Sequence, residues 1–138
     1  MYANRGFQTY QNVSVLTAPP ERLLLMLYEG LIKNIKNARG AILDGDADAR
    51  RNCLRKGRDI VTELMSALNF DIGGEIAVNL HRLYRFVNGR LIQADISSTV
   101  EPLDEAIRVV DILNDAWTRA VDIFQNEQAQ ESTWAAVR

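Results

Sequence analysis

The chain has 138 residues, a single cysteine and a formal net charge of -2. That is enough for one domain burying roughly two thirds of its unfolded surface without disulfides or metals. Apolar residues make up 47% and charged residues 25%, near globular averages, which excludes a wholly disordered chain and a strongly basic nucleic-acid binder.

The first 18 residues interleave Asn4, Gly6, Gln8, Thr9, Gln11 and Asn12 with Tyr2, Phe7, Tyr10, Val13 and Val15. Such a segment is too polar for a core helix and too aromatic for a mere linker. It reads either as a frayed terminus or as a detachable arm anchored by Phe7 and Tyr10. It carries no charged start followed by an apolar signal core, and the longest apolar run, Leu23 to Tyr28, falls far short of the roughly 20 residues that span a bilayer. The expectation is a soluble cytoplasmic protein with no membrane insertion.

Pro19 and Pro20 mark a helix start, since proline is tolerated in the first turn where N–H groups lack partners anyway. Leu24, Leu27, Leu31, Ile35, Ala38 and Ile42 then follow the spacing of one helical face. The run Leu23 to Tyr28 is nonetheless apolar on nearly every side. A helix of that kind is either central in its fold or covered by something the fold does not supply, so it suits both a core and a docking surface.

Asp44, Gly45 and Asp46 are expected to end this helix and cap a second. The second places Cys53, Gly57, Ile60, Leu64 and Leu68 on one stripe, with Leu54, Val61 and Met65 beside it, and stops near Asn69. Gly73 and Gly74 supply the next break. A third helix is expected from about Glu75 to Asp95, facing inward through Ile76, Leu80, Leu83, Val87, Leu91 and Ala94. Its Gly89 is expected to cost about 1 kcal/mol relative to alanine unless close packing requires it. Thr99 is the expected cap of a fourth helix, with Pro102 in its first turn. Leu103, Ile107, Val110, Leu113, Trp117, Ala120 and Phe124 form its inner face, and beyond Gln125 the sequence turns polar and is expected to fray.

Four helices of similar length joined by short loops favour antiparallel packing around one core. The expected fold is therefore all-α: an arm over 1–18, an antiparallel four-helix bundle over 19–125 and a polar tail over 126–138. Charge is unevenly spread: Ile32 to Ile60 holds eight Lys or Arg against four acids, and Asp95 to Arg138 holds nine acids against three Arg. A fold that joins these segments gains electrostatic complementarity.

Catalytic chemistry finds little support. Cys53 lies among apolar neighbours, where a thiol behaves as a small hydrophobe, and no disulfide or zinc framework can be drawn from one cysteine. His81 is the only histidine. Position 78 is valine, so the Glu-x-x-His pairing of a di-metal bundle is absent. No cofactor is expected. A phosphotransfer bundle using His81 is the alternative from another functional class. Arg82, Leu83, Tyr84, Arg85 and Phe86 follow His81 with a cation but with bulky side chains where a phosphotransfer partner must approach. Arg51, Arg55 and Arg58 share a face that reads as solvated or as matching an acidic protein. Without interleaved aromatics it does not read as a nucleic-acid surface.

Two extended motifs carry a family resemblance. Pro20 with Leu24, Leu25, Met26, Leu27, Tyr28, Glu29 and Gly30 resembles the first-helix signature of the FliS family of flagellar export chaperones. Gly73, Gly74, Glu75, Ile76, Ala77, Asn79, Leu80, Leu83, Tyr84, Arg90, Leu91 and Ala94 resemble its second signature at matching spacing. Gly45-Asp46 and Trp117 also fit, and the resemblance runs from Met1 to about Phe124. The chain departs from the family pattern at Pro19, where a serine-like cap is frequent, and at Phe86, Gly89 and Asp95.

The resemblance implies a non-enzymatic helical bundle. Its client would be the disordered C-terminal segment of flagellin, which folds into helices over apolar grooves, with later delivery to the flagellar export gate. It implies that Phe7 and Tyr10 belong to an arm covering an apolar site until client arrives. Leu24, Leu25, Met26, Tyr28, Ile32 and Tyr84 are the candidate client-contacting or arm-contacting residues, with ordinary core as the alternative for each of Leu25, Met26, Tyr28 and Tyr84. A monomer or weak homodimer is expected.

Overall fold

The structure, a computed structural model, describes the backbone of residues 19–137 and the side chains of 19–130. Four helices make up the bundle: α1 (Pro20–Asp44), α2 (Ala47–Ser66), α3 (Phe70–Ser97) and α4 (Glu101–Val137). Each packs against two neighbours, α1 and α3 both contacting α2 and α4. With short connections this is the antiparallel up-and-down arrangement. Among the described residues no helix is long and apolar enough to cross a membrane.

Local chemistry explains the helix ends. Pro19 begins α1 with no side-chain cap, and its carbonyl accepts instead from Arg22 and Leu23 N–H at 3.0 Å each. Gly45 closes α1 in the left-handed region at φ 71°, while Asp46 N–H donates back to the Ala41 carbonyl at 2.9 Å, satisfying carbonyls the helix leaves open. The Asp46 carboxylate then accepts from Ala49 N–H at 3.1 Å and caps α2, as its sequence position suggests.

The junction between α2 and α3 differs from expectation. α2 ends at Ser66, and Asn69 caps a new turn by accepting from Ile72 N–H at 3.1 Å. That turn meets the rest of α3 at a break where Gly74 adopts φ 50° and ψ -122°. Only glycine enters that region without strain. Gly73 serves a different need, since a Cβ there would sit 3.0 Å from that of Ala77. Thr99 does not cap α4. Its hydroxyl pairs with that of Ser97 at 2.6 Å, and the Val100 carbonyl accepts the first helical bond, from Asp104 N–H at 3.0 Å.

The core contains Tyr28, Leu31, Ile35 and Ala38 of α1, and Leu54, Val61 and Leu64 of α2. From α3 come Tyr84, Val87, Leu91 and Ala94, and from α4 Leu103, Ala106 and Val110. Gly57 is buried where a Cβ would lie 3.4 Å from Leu91 and 3.7 Å from Leu31, so its lack of a side chain lets α2 approach closely. Cys53 packs at the edge of this core.

Several expected inward positions turn outward: Ile76, Leu83 and Phe124 are exposed, as is Ala120. Their places are taken by Ala77, Tyr84, Ala106 and Val121. On α1 the buried stripe runs through Leu25 and Tyr28, with Leu24 and Leu27 only partly covered. α4 also continues past Gln125 to Val137. No glycine or proline interrupts it after Pro102, and it stays helical beyond Val121, the last buried side chain among the described residues.

The segments of opposite charge do meet. Arg39 of α1 donates to Asp104 of α4 at 2.8 Å, holding that carboxyl below its ordinary pKa. Arg50 of α2 donates to Asp95 of α3 at 3.1 Å and also to the Ser98 hydroxyl.

Candidate functional site

The first-helix signature contributes chiefly to the core. Tyr28 is 0% and Tyr84 3% exposed, and Leu25 is also buried. The Tyr28 and Tyr84 hydroxyls lie 2.6 Å apart across the bundle, and Trp117 Nε1 donates to the Tyr28 hydroxyl at 3.1 Å. One polar chain thus ties α1, α3 and α4 together. Burial, reinforced by the bond to Tyr84, pushes the Tyr28 phenol far above its ordinary pKa; burial also raises that of Tyr84.

Leu25, Tyr28 and Tyr84, three of the candidate contact residues, therefore offer almost no free surface. Leu24, Met26 and Ile32 keep part of theirs. Ile32 lines a shallow depression with Glu29, Lys33, Lys36 and Asn37. Phe7 and Tyr10 lie outside the described residues. Apart from Leu43, α1 has no strongly exposed large apolar side chain among the described residues; the surplus apolar positions Leu24, Met26, Leu27 and Ile32 are partly covered.

The other strongly exposed large apolar side chains lie on α3 and α4. Beyond the Gly74 break, Ile76, Asn79, Leu83, Phe86 and Arg90 recur at the 3-and-4 spacing of one flank. Arg90 forms an ion pair with Glu105 of α4 at 3.5 Å, so this flank faces α4. On α4, Ile112, Ala116, Ala120 and Ile123 lie on the same side as Glu105 by the helical period, whereas Asp104 points to α1 and Phe124 lies about 100° round toward the inner stripe.

The two flanks border one groove. Ile76 is 68% exposed, Ile112 69% and Ile123 59%, and Leu83, Phe86 and Phe124 are exposed as well. The antiparallel register set by Arg90 and Glu105 brings Leu83 level with Ile112, and Ile76 level with the segment between Ala116 and Ala120. Arg90 also lies over the Phe86 ring at 5.8 Å. Contiguous exposed apolar patches of this kind mark interaction surfaces.

The second signature divides between two roles. Ala77, Tyr84, Leu91 and Ala94 are core, while Ile76, Asn79 and Leu83 are exposed along the groove and Arg90 pairs with Glu105 across it. Core packing gives no reason for the exposed apolar members. Sequence reasoning missed this surface because Ile76 and Leu83 continue an equally regular inward stripe. The available signal was the presence of two adjacent stripes on one helix.

The remaining polar candidates have local partners. His81 is half-buried with its ring edge against Phe70, centroids 5.9 Å apart. Arg51 pairs with Asp48 at 2.8 Å, and Arg55 donates to Asn52 at 2.9 Å.

Comparison with known proteins places this bundle. The family model described as flagellar protein FliS matches residues 2–123. The chain is 36% identical over 121 residues to the flagellar secretion chaperone FliS of Bacillus subtilis (strain 168), covering 88% of this chain and 90% of that one. It is 33% identical over 121 residues to the flagellar secretion chaperone FliSB of Pseudomonas aeruginosa, covering 85% and 96%. With the flagellar secretion chaperone FliS of Vibrio cholerae serotype O1 the identity is 30% over 130 residues, covering 91% and 96%. A two-motif signature, a four-helix bundle and near full-length similarity agree: the chain belongs to the FliS family of flagellar secretion chaperones, a family of non-enzymatic proteins.

Proposed function

We propose that this protein binds the disordered C-terminal segment of flagellin in the cytoplasm, prevents its premature polymerisation and supports its delivery to the flagellar export gate. The observation that carries this reading is the adjacent rows of exposed apolar side chains along α3 and α4 in a protein of a secretion-chaperone family. Covering a half-exposed Leu, Ile or Phe contributes roughly 1 kcal/mol. Five such side chains, Ile76, Leu83, Phe86, Ile112 and Ile123, together reach the upper end of the about 2–5 kcal/mol that ordering a disordered segment costs. From Ile76 to Phe86 the α3 row spans about 15 Å, the length of roughly three helical turns. Phe7 and Tyr10 are assigned to an arm that competes with the client and lowers its apparent affinity by the fraction of time it occupies the site.

Calorimetric titration with the flagellin C-terminal segment tests the reading. Saturable binding with a large negative heat-capacity change is expected, weakened by Ile76→Asp or Ile112→Asp and unchanged or strengthened by Phe7→Ala/Tyr10→Ala. A folded wild-type sample that does not bind refutes the flagellin assignment. Binding that survives both groove substitutions places the client elsewhere.

A further inference from the structure

We propose that Asn79 selects the client and fixes its register: a helix that covers the α3 and α4 rows must bring a carboxamide or hydroxyl side chain to this one polar position among apolar ones. The proposal rests on the client reading above and adds which amphipathic helices the rows accept.

Asn79 stands within the α3 row, with Ile76 three residues before it and Leu83 and Phe86 four and seven after. Like them it is exposed, and its side chain makes no hydrogen bond among the described residues. Water serves its amide in the free protein. The register set by Arg90 and Glu105 puts Asn79 level with Ala116, an exposed residue whose side chain neither donates nor accepts.

The polar neighbours do not complete the amide. Arg82, one turn on along α3, and Arg119, one turn beyond Ala116 on α4, carry donors only, so neither can take the two N–H donors of Asn79. Glu75, one turn before, is an acceptor, yet no hydrogen bond joins it to Asn79. Asp115 lies about 100° round α4 from Ala116, on the side of Asp104, which faces α1.

A client helix seated against Ile76, Leu83 and Ile112 excludes water from Asn79 along with them. An amide that loses water without gaining a partner opposes binding. Ile76 and Leu83 lie about one turn to either side, so a client shifted by a turn sets an apolar side chain on Asn79 and a polar one on isoleucine or leucine. Both mismatches oppose the shifted register. A single polar position in an apolar seam specifies pairing in this way, at some loss of affinity.

The test is titration of the full chain with the flagellin C-terminal segment and with a control peptide, an amphipathic helix whose apolar face is leucine throughout. Wild type is compared with Asn79→Leu and Asn79→Ala, each checked for helicity and melting temperature. Both variants are expected to raise Kd for the flagellin segment about tenfold, the weight of one hydrogen bond lost in a covered site, whereas Asn79→Leu lowers Kd for the leucine-faced peptide. Replacing the polar residues of the segment by alanine in turn is expected to find one whose loss abolishes the difference between wild type and Asn79→Ala. If none does, or if Asn79→Leu binds the segment as tightly as wild type, the proposal is overturned while the client reading stands. Equal weakening of both peptides by Asn79→Leu shows that bulk decides, which also overturns it. If wild type itself does not bind the segment, the client reading fails and this inference falls with it.

Discussion

Replacing Tyr28 by phenylalanine removes one hydroxyl and leaves two groups without their partner: the Trp117 indole N–H that donates to it at 3.1 Å, and the Tyr84 hydroxyl 2.6 Å away. The indole can only donate, and Tyr84 is 3% exposed, so solvent replaces the lost oxygen poorly. A buried polar group stripped of its partner costs about 1–3 kcal/mol. Taking about 2 kcal/mol, and roughly 4 °C per kcal/mol for a domain of this size, Tyr28→Phe should lower the melting temperature by about 8 °C. Tyr84→Phe leaves the Trp117 bond intact and should cost less. The double variant should be less destabilised than the sum of the singles, by about 1 kcal/mol of coupling. Urea unfolding followed by circular dichroism measures all three. Trp117 fluorescence, in a background where Trp134 is changed to phenylalanine, reports loosening around the indole. A Tyr28→Phe protein as stable as wild type, or strictly additive singles, would refute the view that this chain of bonds holds three helices in register.

Gly89 is helical with open space where a Cβ would go, so Gly89→Ala should stabilise by about 0.5–1 kcal/mol, visible as a higher melting temperature; a loss would mean that close packing does require glycine there. Gly74→Ala, forced into φ 50°, should instead destabilise by about 1–3 kcal/mol in the same assay. Stability should fall as pH rises above about 10: the folded-state pKa values of Tyr28 and Tyr84 are raised by burial, so the unfolded chain loses these protons first. Urea midpoints measured across that range check the sign, and the Tyr28→Phe/Tyr84→Phe protein should show a shallower decline. His81→Ala should leave client affinity unchanged, because His81 packs on Phe70 away from the groove; a folded variant without chaperone function would reopen the phosphotransfer reading.

Much of the local structure was legible in the residues. Gly45 and Asp46 end one helix and cap the next because their chemistry acts within a few residues. Gly74 breaks the chain as anticipated, although a capped turn from Phe70 already precedes it. The inward faces were harder to read. On α3 the stripes through Ile76 and Leu83 and through Ala77 and Tyr84 differ by a rotation of one residue and share Leu80, Val87, Leu91 and Ala94. Hydrophobicity alone favours isoleucine and leucine over alanine and tyrosine inside. Tyrosine occupies the core here because its hydroxyl finds partners on two other helices, Tyr28 of α1 and Trp117 of α4.

The sequence by itself determined the number of helices, most of their ends and the family, because periodicity, capping and breaker residues are local properties and the two motifs are contiguous. Only the tertiary structure decided which apolar residues are left over. Whether Leu83, Phe86 or Ile112 is core or surface depends on how far each helix is rotated about its axis, and rotation is set by contacts between residues far apart in the chain. The Tyr28–Tyr84 bond and the Arg90–Glu105 ion pair are such contacts. With α3 turned this way, its small residues and tyrosine face inward and its large aliphatic residues Ile76 and Leu83 stay exposed.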